Sequence, residues 1–244
     1  TSRITEIIEK DSKGMSGIFR LGIIPTVAPY LLPIFIKGFM KKYPDVTLII
    51  DEIRTDQIID KIQKDDLDAA ILATPLNIPS IIEKPLYYEP FVAFISPNSP
   101  LAGNITFSAL ELGKIRKNEI LLLKEGHCFR NQVHNICHRD KNEEEELSGS
   151  ISFEGGNFET LIKLVKNDIG MTFVPYLLAE ELKKSEDNIY LHEFEKPVPT
   201  REISIVYPRV HLKKHIIDVI EREVKRNIPG ELKVKDSSFV LAVN

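Results

Sequence analysis

The strongest constraint on this chain is the way its apolar residues keep changing period. Gly17–Ile24 is β-rich and stops at Pro25-Thr26. From Pro29 to Tyr43, Leu32, Phe35, Ile36, Phe39 and Tyr43 recur at helical spacing, with Pro29 and Pro33 tolerable only near the first turn. Val46–Asp51 reads as a strand. Ile58, Ile59 and Ile62 make a second helix, with Thr55 at its cap and Asp56 at its positive end. Ala69–Ala73 is apolar throughout, as a strand buried between helical layers must be. Strand–helix–strand–helix–strand in about 60 residues is a parallel α/β unit, because parallel neighbours need a crossover.

After a longer strand, Pro85–Ser96, interrupted at Pro90, and a Pro97-Asn98-Ser99-Pro100 turn, the alternation restarts. Strands are expected at Glu119–Leu123, Ile151–Phe153, Ile169–Val174 and Glu202–Tyr207. Helices are expected at His127–His138, Asn157–Val165, Pro175–Lys184 and from Leu212 to about Val224, the last striped by Leu212, Ile216, Val219, Ile220 and Val224. Pro and Gly near 97–103, and Pro197 and Pro199, mark two crossover segments. The expected organisation is α/β in two lobes: lobe I from residues 15–96 plus 201–244, and lobe II from 97–200. Residues 1–14, with Ile4, Ile7 and Ile8 on one face, read as the end of a linker helix. The last dozen or so residues have no clear period and read as a loose tail.

Lys plus Arg is 32 and Asp plus Glu 36, a net charge of −4, which argues against this chain being the main nucleic-acid surface. Hydrophobic residues at 43% suffice for a sizeable core. No apolar run approaches the roughly 18–20 residues of a membrane span. The opening at Thr1, without initiator Met or leader, reads as a piece of a longer protein. The Glu143–Glu146 run reads as a solvated loop, since hard-cation sites need spaced ligands and a turn-forming Gly.

Two Cys are too few for a secreted disulfide scaffold, so they matter as reactive thiols, as metal ligands or as small core residues. Both lie in one segment, Gly126-His127-Cys128-Phe129-Arg130 and Cys137-His138, nine positions apart. Cys128 falls at a strand-to-helix turn, where unpaired N–H groups and the helix dipole favour a thiolate; His127 and Arg130 add cationic character. Phe129, Val133 and Ile136 form an apolar stripe bordered by Cys137. If 128–137 is helical, nine rises of about 1.5 Å hold the Cα atoms roughly 13 Å apart. A disulfide requires them within about 7 Å, so bridging needs the helix to unwind. Zinc is the rival use, with His134 and His138 at i, i+4 beside Cys137. His192, His211 and His215 read as surface or capping residues.

The segments Leu21-Gly22-Ile23-Ile24-Pro25-Thr26, Pro29-Tyr30-Leu31-Leu32-Pro33 and Asn157–Pro175 resemble the regulatory domain of LysR-type transcriptional regulators. Gly126-His127-Cys128 with Cys137 at its spacing is similar to the hydrogen-peroxide-sensing branch of that family. The likeness covers roughly residues 15–225. It implies a two-lobed fold like a periplasmic binding protein, preceded in the intact protein by a winged helix-turn-helix that binds promoter DNA. It implies homodimers and homotetramers, a cytoplasmic location, contact with RNA polymerase, and resetting by a glutaredoxin- or thioredoxin-type reductant. It implies no cofactor, metal, membrane or enzymatic activity.

Residue by residue, the resemblance makes Cys128 the peroxidatic and Cys137 the resolving cysteine, joined in a reversible disulfide, with His127 beside them. Thr26, Thr55 and Arg201 match two threonines and an arginine near the thiol. Hydrogen peroxide is small and polar, so a few convergent donors suffice to hold it. Asn131 departs from the pattern, standing where the branch has an acidic residue. The other readings are a LysR-type module that binds a small organic anion between its lobes, with Thr26 and helix N-termini as donors, and a thiol or zinc enzyme.

Overall fold

The computed structural model describes residues 15–99, 102, 106–107, 120–136, 154–233 and 240–241. The expected linker helix, the 151–153 strand, the Glu143–Glu146 run, Cys137 and His138 lie outside them. In chain order the elements are β1 (Gly17–Ile23), α1 (Ala28–Lys42), β2 (Val46–Glu52), α2 (Thr55–Gln63), β3 (Ala69–Thr74), β4 (Ile81–Ile95), β5 (Thr106–Phe107), β6 (Leu122–Leu123), α3 (Cys128–Ile136), β7 (Glu154–Gly155), α4 (Phe158–Lys166), β8 (Met171–Pro175), α5 (Tyr176–Leu182), β9 (Leu191–Phe194), β10 (Thr200–Pro208) and α6 (Lys214–Asn227). They form two units. Unit 1 comprises residues 1–72, 78–86 and 204–233; unit 2 comprises 73–77, 87–203 and 234–244. The chain passes between them inside β3, β4 and β10, while Pro97 and Pro197–Pro199 fall within unit 2.

In unit 1, β1 runs parallel to both β2 and β3, as the early alternation requires, and the strand order is β2-β1-β3-β10-β4. Every residue of β3 is buried. Gly22 permits the close packing on β1: a Cβ there would stand 2.7 Å from Leu67 Cδ1 and 3.2 Å from Ala70 Cβ. Helix α1 buries Ala28, Leu31, Phe35 and Phe39, and α6 buries Ile216, Val219, Ile220 and Val224. Lys42 Nζ reaches from α1 to the buried Glu223 of α6 at 2.7 Å.

Three details of unit 1 depart from expectation. Pro33 is the sixth residue of α1, beyond its first turn; it is exposed, so its missing N–H costs one ladder bond on the solvent side without disturbing the core. Leu212 precedes α6 and is 94% exposed rather than part of its stripe. Thr55 is the first residue of α2 rather than its cap; Arg54 holds the cap position, and its backbone N–H donates to Gln57 Oε1 at 3.2 Å.

In unit 2, β4 pairs antiparallel with β8, from Phe91 opposite Pro175 to Ile95 opposite Met171, and with β9. β9 pairs parallel with β5, and β6 with β7. Pro90 does not interrupt β4, which begins four residues earlier than expected; next to the missing donor, the Phe91 N–H goes to the Pro199 carbonyl at 2.9 Å. Within the 119–123 stretch, Leu122–Leu123 form β6 and Ile120 bridges Met171. Asn157 caps α4 through its Oδ1, which accepts from the Thr160 N–H at 3.1 Å. Val240 and Leu241 are anchored where a loose tail was expected. Val240 bridges Thr200, the Leu241 N–H donates to the Thr200 carbonyl at 2.8 Å, and Leu241 is buried.

Candidate redox site

The site is built around the start of α3. β6 ends at Leu123, and a turn follows in which Gly126 takes φ 93°, a conformation that glycine adopts without strain. The helix opens with the Arg130 N–H bonded to the His127 carbonyl at 3.0 Å. Cys128 is therefore the first helical residue, and it is a thiol, outside any disulfide among the described residues. It is only 6% exposed. Two effects oppose each other there: the helix N-terminus stabilises a thiolate, and burial disfavours it. His127 and Arg130 are half-buried, and the Arg130 guanidinium turns back to the Leu123 carbonyl at 3.4 Å.

Phe129 fixes the helix to the core. Its ring lies 4.8 Å from that of Phe91 on β4 and 5.0 Å, edge-on, from that of Phe158 on α4. The Arg201 guanidinium lies 5.1 Å from the same ring, within cation–π range. Arg201 is held in turn by Glu89 of β4: its Nε and Nη2 stand 2.9 and 2.7 Å from Glu89 Oε2. Glu89 Oε1 accepts the Leu177 N–H at the start of α5 at 3.0 Å. Both charged side chains are 1% exposed, so pairing is what makes their burial affordable. Tyr87, two residues before Glu89, is buried with a hydroxyl that makes no hydrogen bond among the described residues. Burial first, and then the Glu89 charge, push its phenol well above the usual range, against a smaller opposing pull from Arg201, so Tyr87 is neutral.

Of the residues singled out from the sequence, Cys128, His127 and Arg201 belong to unit 2, where Arg201 stacks on the ring that follows Cys128. Thr26 and Thr55 belong to unit 1. Thr26 is buried in the loop after β1, and the Thr55 hydroxyl has no hydrogen-bond partner among the described residues. Cys137 and the zinc candidate His138 lie outside the described residues. His192 is a buried residue of β9 opposite Ala93, not a surface residue.

Two site residues escaped the sequence reading. Glu89 carried a usable signal, being the one charged residue between Pro85 and Pro97, and a lone carboxylate in a buried strand demands a partner. Gln132 is wholly buried on the inner face of α3; its Nε2 donates to the Leu241 carbonyl at 3.4 Å and its Oε1 has no partner among the described residues.

The chain belongs to the LysR substrate-binding domain family, whose model matches residues 12–222. Its relatives inside that family include hydrogen peroxide-inducible genes activators and OxyR. It is 32% identical over 197 residues to a probable hydrogen peroxide-inducible genes activator of Mycobacterium leprae, a match spanning 81% of this chain and 61% of that protein. It is 30% identical over 233 residues to the hydrogen peroxide-inducible genes activator of Haemophilus influenzae, spanning 93% and 74%. The crystal structure of OxyR from Porphyromonas gingivalis superposes with a TM-score of 0.81 at 25% identity, covering 93% of this chain and all of that one. The fold is thus that of the periplasmic-binding-protein-like LysR regulatory domains. The chain spans about three-fifths of the length of several curated relatives that it matches.

Proposed function

We propose that this chain is the regulatory domain of a peroxide-responsive transcriptional activator, with Cys128 and Cys137 as its switch. The observation that carries the reading is the position of Cys128: a thiol at the first turn of a nine-residue helix, in a chain whose relatives are named for induction by hydrogen peroxide. The Cys128 thiolate attacks one peroxide oxygen, breaking the O–O bond and releasing hydroxide, and becomes a sulfenic acid. The Cys137 thiolate then attacks that sulfur and expels its oxygen as a second hydroxide, and the two hydroxides each take up one of the protons the thiols gave. Two thiols and one peroxide thereby become one disulfide and two waters.

Sensing is stoichiometric, and a glutaredoxin- or thioredoxin-type dithiol resets the switch in the cytoplasm. Remodelling of α3 alters the pairing of subunits in a homodimer or homotetramer. That alters promoter DNA contacts made through an N-terminal winged helix-turn-helix of the intact protein, and its engagement of RNA polymerase. By the resemblance to the family, His127 and Arg201 act as cationic support for the thiolate, and Thr26 and Thr55 as donors to peroxide.

The test is peroxide treatment followed by alkylation and tryptic mass spectrometry. The expected products are a linked Cys128–Cys137 peptide in the wild type, a dimedone-trapped sulfenic acid in Cys137→Ser, and no product in Cys128→Ser. T26V and T55V should slow the first step without unfolding the chain. Two thiols still fully alkylatable after peroxide would overturn the reading. A thermal shift given instead by a small organic anion would favour the effector-binding alternative.

A further inference from the structure

We propose that residues Val240–Leu241 form a latch on α3, held by Gln132, and that closing the Cys128–Cys137 disulfide releases it. This inference rests on the redox reading above and adds an output to it. Gln132 is the fifth residue of the nine in α3, facing inward with no exposed surface. Its Nε2 donates to the Leu241 carbonyl at 3.4 Å. The other side of the same dipeptide is bound to β10, where Val240 bridges Thr200 and the Leu241 N–H donates to the Thr200 carbonyl at 2.8 Å. Thr200 directly precedes Arg201, whose guanidinium lies under the Phe129 ring. The Val240–Leu241 dipeptide is therefore pinned between the strand that carries the buried cation and the helix that carries the thiol.

The contact cannot survive the proposed switch. In α3, Cys128 and Ile136 are separated by eight rises of about 1.5 Å, about 12 Å in all, whereas a disulfide needs its Cα atoms within about 7 Å. The shortening has to come from the turns between the sulfurs, and Gln132 is in the middle of them. The hold is also a weak one. The amide hydrogen bond is long, and Gln132 Oε1 is buried without a partner among the described residues, so leaving the pocket lets that oxygen reach water. A helix that unwinds therefore surrenders Leu241 before it surrenders the apolar stripe.

The experiment follows amide exchange at Leu241 by NMR in the whole chain, reduced and peroxide-oxidised, with the Ile71 amide of β3 as a control for global opening. Q132L keeps the side-chain volume and removes the hydrogen bond. In the reduced state it should speed Leu241 exchange about fivefold, the equivalent of one hydrogen bond of roughly 1 kcal/mol, and leave Ile71 unchanged. Oxidation of the wild type should speed it by at least as much. If mass spectrometry shows the linked thiols while Leu241 exchange stays at its reduced value, the latch is refuted and the sensor reading survives. If no link forms, both fall, and the mass spectrum tells the two failures apart. An Ile71 amide that speeds in step with Leu241 marks global unfolding and counts against a local latch.

Discussion

Phe129→Ala should make the switch harder to reduce. Phe129 is 2% exposed and meets two rings and a guanidinium. Truncating such a side chain costs about 3–5 kcal/mol. Of that, each aromatic pair accounts for roughly 0.5–1.5 kcal/mol and the cation–π contact for roughly 0.5–2 kcal/mol. In the proposed switch these contacts exist only while α3 is wound, since a Cys128–Cys137 disulfide requires α3 to unwind. The loss therefore falls on the reduced state and largely spares the oxidised one. Taking about 3 kcal/mol as the difference, and roughly 30 mV per 1.4 kcal/mol for a two-electron couple, the reduction potential should move about 65 mV more negative. The assay is equilibration in graded dithiol buffers, quenching by alkylation, and mass spectrometry of the Cys128 peptide, alongside thermal unfolding of the reduced protein. A lowered Tm with an unmoved potential would refute the reasoning, because it would mean that Phe129 keeps its packing when the sulfurs are joined.

Glu89→Ala leaves the Arg201 guanidinium buried without its carboxylate and should cost about 3–5 kcal/mol in denaturant unfolding. Replacing both members of the pair, Glu89→Leu with Arg201→Met, should cost clearly less than the single change; equal losses would show that the pair is not the source of the penalty. Ser96 and Asn98 donate to Asp168 and hold its carboxyl below its ordinary value. A carboxylate depressed in the folded state binds fewer protons there than in the unfolded chain. Its contribution is therefore complete above about pH 4 and is lost as pH falls through the depressed folded value. Asp168→Asn should lower stability at neutral pH, where the contribution is complete, and flatten the acid limb, so that the gap to the wild type closes as pH falls; a gap that does not change with pH would contradict this. Thr55→Val should leave stability unchanged or raise it by about 1 kcal/mol, since the hydroxyl it removes is buried and makes no hydrogen bond among the described residues, and a loss above about 1 kcal/mol would contradict that account.

Periodicity alone was enough to place the parallel core of unit 1. β1, α1, β2, α2 and β3 stand within a few residues of where the apolar spacing put them. A strand such as Ala69–Thr74, with no polar side chain facing out until its end, has one stable environment, between covered faces. The first turn of α3 was legible for a similar reason, because turn residues before an apolar stripe mark a helix start and so put Cys128 at an N-terminus. Pro90 misled because a missing N–H matters only where the ladder needs it, and the neighbour across the strand is set by the fold.

What the sequence by itself determined, then, was which segments are strands and helices, which faces they bury, and that a thiol begins a helix. These follow from each residue's preference for water or for apolar surroundings along a few turns of local chain. The tertiary structure alone decided who meets whom: Arg201 finds Glu89 112 residues away, and Gln132 finds Leu241 109 residues away. A period reports that a side chain points inward, but it carries nothing about the distant group waiting there. Buried charge and buried amide therefore acquired partners, and a role, only once the chain had closed around them.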